Sequence, residues 1–335
     1  MEGTLEFHTL VSRALEGNPL GDPSCRELLA YLPPGYAKGS AHYPAVYFLH
    51  GFAGTVRGWV NTSPFSPTVP ERIDALITSR ALPPFIGIFV DGWTTLGGAQ
   101  WMNSEATGRY RDYVAQDVVA FADRTFRTLA RAEGRAIVGK SSGGYGALVM
   151  ARHHPDVFGH MGCHSGDAYF EYCYLPDFSR AASAFLKFPD HAAWFADFVR
   201  RGRETKMRGD DHPVINALAM AAAYSPNLKY PLRIELPFER ETGRLREDVW
   251  ARWLQSDPVR FIPGEIGSFR RLKSAFVDCG TKDEFQLRWG ARMVAEVLRA
   301  GGVEVVHEEF EDGHMGINYR YDRSLSYLVP RMARG

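Results

Sequence analysis

Short apolar runs and amphipathic stretches alternate along much of the chain. The apolar runs, which predict buried strands, cover Pro44–Leu49, Phe85–Val90, Ala136–Val138, 159–164, Ser274–Val277 and Val303–Phe310. The stretches with helical spacing of apolar residues predict helices over Arg72–Ser79, 112–127, Tyr145–His153 and Gln286–Ala300. This alternation predicts an α/β fold whose mostly parallel central sheet is covered by helices on both faces.

Two further segments depart from this pattern. Near the start, Glu6–Ser12 and Arg26–Leu32 alternate like strands around the turn-rich stretch Gly17–Pro23, which predicts an antiparallel lead-in. From about 168 to 265 the alternation stops, many aromatic residues appear, and helices are predicted at 180–188, 191–202, 213–224 and 246–255. We interpret residues 168–265 as a helical insertion, or lid, within a single domain that spans 1–335.

The aromatic residues of the insertion could line a binding pocket or pack the insertion onto the body of the protein. Packing is the better interpretation for any one of them, because buried aromatic side chains most often stabilise a core. They are Tyr169, Phe170, Tyr172, Tyr174, Phe178, Phe185, Phe188, Trp194, Phe195, Phe198, Trp250 and Trp253.

Composition narrows the range of partners. The chain has 335 residues, 45% of them hydrophobic, which allows one large domain with a sizeable core. Lys and Arg total 39, as do Asp and Glu, so net charge gives no reason to expect nucleic acid or a membrane surface. The first residues show no signal peptide and no apolar run is long enough to span a membrane, so we expect a cytoplasmic protein.

The four cysteines show no C-x-x-C pair. They are Cys25, Cys163, Cys173 and Cys279. Cys163 and Cys173 could form a disulfide, but free buried thiols are the simpler expectation. Histidines also cluster, in His160-x-x-Cys163-His164 and in His153-His154-x-Asp156. Neither cluster has the ligand spacing of a metal site, so we expect no metal.

The glycine-rich stretch Gly134–Ala147 contains two motifs that share one serine. Gly139–Gly143 fits G-x-S-x-G, the nucleophile elbow, in which a serine sits on a sharp turn between a strand and a helix. Gly134–Ser141 fits G-x-x-x-x-G-K-S, the phosphate-binding P-loop. A third interpretation is an ordinary glycine-rich turn.

The flanking residues favour the elbow. A P-loop needs flexible residues between its glycines, but here Ala136–Val138 reads as a buried strand. A P-loop also needs a preceding strand, whereas Arg127–Glu133 resembles the end of a helix capped by Gly134. An elbow needs small residues around its serine, and glycine fills four nearby positions. The candidate nucleophile is therefore Ser141.

A serine nucleophile in acyl transfer needs two backbone N–H groups to stabilise the oxyanion. One is expected from Ser142, which follows the nucleophile. The other is expected from the His50-Gly51-Phe52 loop, where Phe52 is the first choice and Ala53 the second. The alternative is that this loop is only a turn.

Serine also needs a general base and an acid that orients it, and in this architecture they follow in the order Ser, acid, His. His314 directly follows the last predicted strand, whereas its rival His307 lies within that strand. Asp283 lies in the loop after the preceding strand and is the expected acid. Asp278, which ends the strand and would brace the turn, and Glu284 are the alternatives.

Taken together, these motifs resemble a known family. They are Tyr31–Tyr36, Leu49-His50-Gly51, Asn103-Ser104, Gly139–Gly144, Asp278–Asp283 and Gly313-His314. In this ordered set the chain is similar to the esterase family that includes S-formylglutathione hydrolase (esterase D), enterochelin esterase, feruloyl esterase domains and the mycolyltransferases. The resemblance covers nearly the whole chain except the insertion, which departs from the family pattern and leaves the substrate open.

The resemblance implies an α/β-hydrolase fold, carboxylic-ester hydrolysis, no cofactor and a small-molecule ester as substrate. It matches the family's nucleophile to Ser141, its acid to Asp283 and its base to His314. Three alternatives stay open: acyl transfer by the same residues, a P-loop nucleotide hydrolase, and a non-catalytic binding protein of the same fold. The sequence leaves the oligomeric state undetermined.

Overall fold

The central sheet has eight strands in the computed structural model, which describes residues 1–334. The strands in chain order are β1 Thr4–Val11, β2 Cys25–Leu32, β3 Ala45–Leu49, β4 Ile86–Val90, β5 Asn103–Ser104, β6 Gly108–Arg109, β7 Arg135–Lys140, β8 His160–His164, β9 Ser274–Gly280 and β10 Val305–Phe310. The spatial order is β1-β2-β4-β3-β7-β8-β9-β10, and β5 and β6 form a separate two-residue hairpin.

The pairing confirms the predicted mostly parallel sheet. Within the central sheet, β1 with β2 and β2 with β4 pair antiparallel, and the remaining neighbours run parallel. The parallel strands are buried on both faces because apolar side chains point both ways. In β3, for example, Tyr47 joins the apolar cluster on one face and Phe48 joins the cluster on the other. Such a sheet presents its functional loops at the carboxyl ends of the strands.

Helices cover both faces of the sheet. In chain order they are α1 Val69–Thr78, α2 Tyr110–Asp112, α3 Val119–Thr125, α4 Ser142–His153, α5 Phe170–Cys173, α6 Leu175–Phe185, α7 His191–Glu204, α8 Asp211–Tyr224, α9 Glu247–Leu254, α10 Pro258–Gly264, α11 Ile266–Phe269, α12 Leu287–Ala300 and α13 Arg320–Leu328. Apolar residues of α1 and α13 pack on one face, and those of α3, α4 and α12 pack on the other.

Three of the helix boundaries predicted before β7 differ from the structure. Helix α1 begins at Val69 because Thr68 and Glu71 form a reciprocal capping box, three residues before the predicted start. The helix predicted over 112–127 is α2 and α3 joined by a π-helical turn at Tyr113–Val118. The helix end predicted before Gly134 is wrong, because the chain leaves α3 in an extended conformation at Phe126.

The helical insertion (residues 168–265) lies between β8 and β9 and contains no strand among its helices. The four predicted helices are α6 to α9, and the short helices α5, α10 and α11 were not predicted. Helix α6 starts at Leu175, earlier than predicted, with a proline in its first turn. One apolar cluster joins side chains of the sheet and of the insertion. That 1–335 form one domain stays our interpretation, and this shared core supports it.

Cys163, Cys173 and Cys279 are free and buried, while Cys25 is free and exposed. No helix within residues 1–334 combines the length and apolar character that crossing a bilayer requires.

Candidate active site

The elbow serine occupies the sharp junction between β7 and α4. Ser141 adopts φ 58° and ψ −128°, a backbone conformation that costs free energy and persists only where its surroundings impose it. A Cβ at Gly143 would lie 2.1 Å from the carbonyl oxygen of Leu49, and one at Gly139 would lie 2.3 Å from that of Gly143. Glycine is therefore required here because strand and helix backbones meet without room for a side chain.

The structure contradicts the P-loop interpretation. Residues 135–140, which would have to wrap a phosphate, form β7 and pair with β3 on one side and β8 on the other. Their backbone N–H groups belong to the sheet rather than to an anion site. Lys140 instead lines the cavity in front of Ser141, where burial lowers the pKa of its ammonium group.

The predicted base and acid are hydrogen-bonded to each other. His314 Nδ1 donates to Asp283 Oδ2 over 2.8 Å, and the two residues are only 3% and 4% exposed. The loop after β9 holds the carboxylate, since Asp283 Oδ1 accepts the backbone N–H of Phe285 at 3.0 Å. The ring of Phe285 packs edge-on against His314 with centroids 4.8 Å apart.

Ser141 and His314 line the same cavity, whose volume is about 240 Å³. No hydrogen bond joins Ser141 Oγ to another residue within 1–334. Hydrogen bonds between catalytic groups are often long in ligand-free enzymes and shorten when the substrate binds. The structure therefore brings the three predicted residues to one site, with Asp283 hydrogen-bonded to the imidazole and Ser141 lining the same cavity as His314.

The His50-Gly51-Phe52 loop lies directly beside the elbow. A Cβ at Gly51 would lie 3.3 Å from both Lys140 O and the Cβ of Ser141. The N–H groups of Phe52 and Ser142, the two expected oxyanion donors, bond to no residue within 1–334. The second choice, Ala53, donates its N–H to Gly97 O at 2.9 Å and is already occupied.

His50 is more than part of a turn, because its ring fixes this loop. The N–H of Gly92 donates to His50 Nε2 at 2.9 Å, so the ring proton lies on Nδ1, which donates to Gly51 O at 2.8 Å. Burial lowers the pKa of His50, which keeps the imidazole neutral and preserves this pattern. His50 thereby orients the backbone that leads to Phe52.

A second Ser, His and Asp arrangement lies beneath the elbow, and the sequence did not predict it. His164 Nδ1 donates to Asp278 Oδ1 at 2.7 Å, and His164 Nε2 lies 2.8 Å from Ser324 Oγ. These three side chains are between 0% and 1% exposed. Asp278 does not brace the turn, as the sequence suggested, because it lies inside β9 and also accepts from Arg320 Nε at 2.8 Å.

This buried cluster supports the elbow from below. The carbonyl oxygen of His164 accepts the N–H of Ser141 at 2.8 Å. No local signal in the sequence identifies this buried cluster, since His164 is within a strand and Ser324 lies on α13, a helix that was not predicted. The other alternative acid, Glu284, accepts the N–H of His314 at 2.7 Å and so holds the histidine loop.

The helical insertion supplies part of the cavity wall. Its contributions are Cys173, Tyr174, His212 and Asn216. Tyr174 is the member of the predicted aromatic set that lines the cavity, whereas Phe178, Trp250 and Trp253 pack against one another. Packing was therefore the correct interpretation for these three residues.

The two histidines of the first cluster, His160 and His164, form internal hydrogen bonds. His160 Nδ1 lies 2.7 Å from Ser274 Oγ, and His164 belongs to the buried cluster described above. Within 1–334, no group of three or more His, Cys, Asp or Glu side chains has the arrangement to hold a metal ion.

Comparison with solved structures shows an α/β-hydrolase fold. A ferulic acid esterase superposes with a TM-score of 0.61 over 99% of both chains at 17% identity. An S-formylglutathione hydrolase from Agrobacterium tumefaciens gives 0.57 over 99% of this chain and 96% of that one, at 15% identity. At these identities the likeness establishes the fold alone.

Sequence relatives match a shorter region. MPT51 antigen of Mycobacterium leprae is 32% identical over 142 residues, which are 41% of each protein. Esterase Rv1288 of Mycobacterium tuberculosis is 28% identical over 142 residues, 41% of this chain and 28% of that protein. The chain thus spans less than half the length of these two relatives. The model of the family described as "Putative esterase" matches residues 24–315, and the chain therefore belongs to this esterase family.

Proposed function

We propose that this protein is a serine carboxylic-ester hydrolase that acts through an acyl-enzyme on Ser141. The observation that carries the proposal is the hydrogen-bonded His314–Asp283 pair beside the cavity that Ser141 also lines. Family membership and the named esterases among its relatives support the same activity. The cavity volume of about 240 Å³ suits a small ester.

The first half-reaction uses the tautomer that Asp283 imposes. Because Nδ1 of His314 donates to the carboxylate, Nε2 carries the lone pair that takes the proton of Ser141. The hydroxyl oxygen then attacks the ester carbonyl carbon, and the carbonyl oxygen becomes an oxyanion. The N–H groups of Phe52 and Ser142 stabilise that charge, a contribution worth roughly 10²–10³ in rate for each donor.

Collapse of this tetrahedral intermediate completes the first half-reaction. The imidazolium of His314 protonates the departing alcohol, which leaves Ser141 acylated. In the second half-reaction His314 takes a proton from water, and the resulting hydroxide attacks the acyl carbon to form a second tetrahedral intermediate. As the bond between Ser141 Oγ and the acyl carbon breaks, His314 returns the proton to Oγ and the acid is released. Asp283 stays ionised throughout and stabilises the imidazolium.

Ser141, rather than Ser324, is the nucleophile because only Ser141 lines the cavity. Ser324 has the same partners in kind, His164 and Asp278, but its exposed fraction is 0%. An ester carbonyl cannot approach its Oγ without unfolding of the surrounding core. Position alone therefore separates the catalytic arrangement from the buried one.

Fluorophosphonate labelling followed by peptide mapping tests this assignment. We expect label on Ser141 in the wild type and its loss in Ser141→Ala and His314→Ala. Ser324→Ala is the matched control, because it alters the other serine with a histidine partner, and it should be labelled like the wild type. Ester turnover by a folded Ser141→Ala variant, or label on Ser324, would contradict the proposal.

A further inference from the structure

A carboxylate that the proposed mechanism does not use lines the catalytic cavity. Asp167 lies three residues after β8, at the carboxyl edge of the sheet, and is 8% exposed. Burial raises the pKa of this carboxyl group. A buried carboxylate costs free energy unless hydrogen bonds satisfy its oxygens, so its partners determine what it does.

One oxygen of Asp167 is fully engaged. Oδ2 accepts from Gln100 Nε2 at 2.7 Å and from the hydroxyl of Tyr174 at 2.8 Å. Gln100 is itself held by Ser142, whose hydroxyl donates to Gln100 Oε1. These contacts fix the orientation of the carboxylate and connect it to the residue that follows the nucleophile.

The other oxygen, Oδ1, accepts no hydrogen bond from any residue within 1–334. Much of the surrounding cavity wall is apolar, formed by residues that include Phe52, Ala53, Phe285 and Leu287. A fixed acceptor without a donor, in a wall of this kind, is the arrangement by which pockets select a polar group of the ligand.

We infer that Asp167 Oδ1 accepts a hydrogen bond from a hydroxyl group of the substrate, so that the preferred substrates are hydroxyl-bearing esters. This inference rests on the proposed ester hydrolysis and specifies its substrate class. A site built around such a bond disfavours the analogue that lacks the hydroxyl, because the buried acceptor is then left without a donor.

A hydroxyl fits this position better than an ammonium group. Lys140 lines the same cavity, and His314 becomes cationic during the reaction, so a second positive charge would be repelled. The apolar wall would also desolvate an ammonium group at a larger cost than a hydroxyl.

Matched esters provide the test, because hydroxyl and methyl groups are similar in size. On the acyl side, ethyl 3-hydroxybutanoate is compared with ethyl 3-methylbutanoate and ethyl 3-aminobutanoate, and ethyl 6-hydroxyhexanoate with ethyl heptanoate. On the alcohol side, 2-hydroxypropyl butanoate is compared with 2-methylpropyl butanoate. We expect kcat/KM to favour the hydroxyl member of at least one pair by about 10- to 100-fold.

Asp167→Asn should remove this preference while it keeps the size of the side chain. Its carbonyl oxygen must face the Nε2 donor of Gln100, which turns an amide NH₂ toward the cavity in place of the acceptor. We expect the hydroxyl-to-methyl ratio of kcat/KM to fall close to one, because only the hydroxyl esters lose a hydrogen bond to Oδ1. Asp177→Asn is the matched control, because Asp177 binds Asn216 behind the cavity wall, and should leave the ratio unchanged.

Several results would overturn the inference. They are equal kcat/KM for hydroxyl and methyl members in every pair, a preference that survives in Asp167→Asn, or a stronger preference for the ammonium ester. In each case turnover of the esters would leave the proposed hydrolysis intact. Absence of all turnover together with absence of label on Ser141 would instead remove the proposed function, and this inference with it.

Discussion

The two aspartates that pair with histidines allow a direct test of which arrangement is catalytic. Asp283 and Asp278 each accept from a histidine Nδ1, at 2.8 and 2.7 Å, and both are buried. Changing each to asparagine makes the same chemical substitution in two places. The proposed function predicts that the two variants lose different properties.

Asp283→Asn should abolish most of the activity and leave the free energy of unfolding nearly unchanged. The carbonyl oxygen of the new amide can keep the bond to the N–H of Phe285, which leaves its NH₂ facing His314. His314 Nδ1 must then accept, the ring proton moves to Nε2, and Nε2 can no longer take the proton of Ser141. The corresponding change in serine proteases lowers kcat about 10⁴-fold, and we expect a loss of that order here.

Asp278→Asn should do the opposite. Asp278 is 0% exposed and accepts from both His164 and Arg320, so the substitution leaves a buried guanidinium without one of its charge partners. Removing one member of a buried ion pair costs about 3–5 kcal/mol. Asp278 does not line the cavity, so kcat of the folded variant should stay within about fivefold of wild type.

Two measurements check this pair of predictions. Steady-state hydrolysis of a chromogenic butanoate ester gives kcat and KM, and urea unfolding gives the free energy of unfolding by linear extrapolation. Far-UV circular dichroism confirms that each variant is folded under the assay conditions. The reasoning would be refuted if Asp278→Asn lost activity 10⁴-fold while folded, or if Asp283→Asn kept near wild-type kcat.

Three further predictions concern the elbow, pH and the oxyanion loop. Gly143→Ala should lower the free energy of unfolding in urea by more than about 3 kcal/mol, because its Cβ would lie 2.1 Å from a carbonyl oxygen of β3. The control Gly202→Ala, which has open space around it, should be neutral or stabilising. Burial lowers the pKa of His160 to about 4, so as the pH falls this histidine is protonated in the unfolded chain before it is protonated in the folded one. The free energy of unfolding should therefore decrease by about 3 kcal/mol between about pH 6.5 and pH 4. His160→Asn should show a shallower pH dependence, and an unchanged slope would contradict this. Gly51→Ala should lower kcat about 10- to 100-fold with little change in KM. The added Cβ would lie 3.3 Å from the Cβ of Ser141 and would displace the loop that carries the Phe52 N–H donor. An unchanged kcat would argue against an oxyanion role for this loop.

The sequence by itself determined the alternation of strands and helices, and with it the parallel sheet. It also determined the elbow, because an apolar strand, a serine and clustered glycines allow few backbone solutions. The candidate base and acid followed from order alone, since each lies in a loop directly after a late strand. These features are local, and local patterns of polarity and steric demand are visible in one dimension.

Only the tertiary structure decided which polar groups meet. His164 and Asp278 lie on neighbouring strands 114 residues apart in the chain, and Ser324 reaches them from a helix 160 residues beyond His164. Asp167 and Gln100 are likewise 67 residues apart, and nothing near either residue indicates the other. Burial makes such pairs necessary, because a polar group removed from water must find a partner. The partner's identity depends on how the whole chain packs, which the sequence pattern does not express.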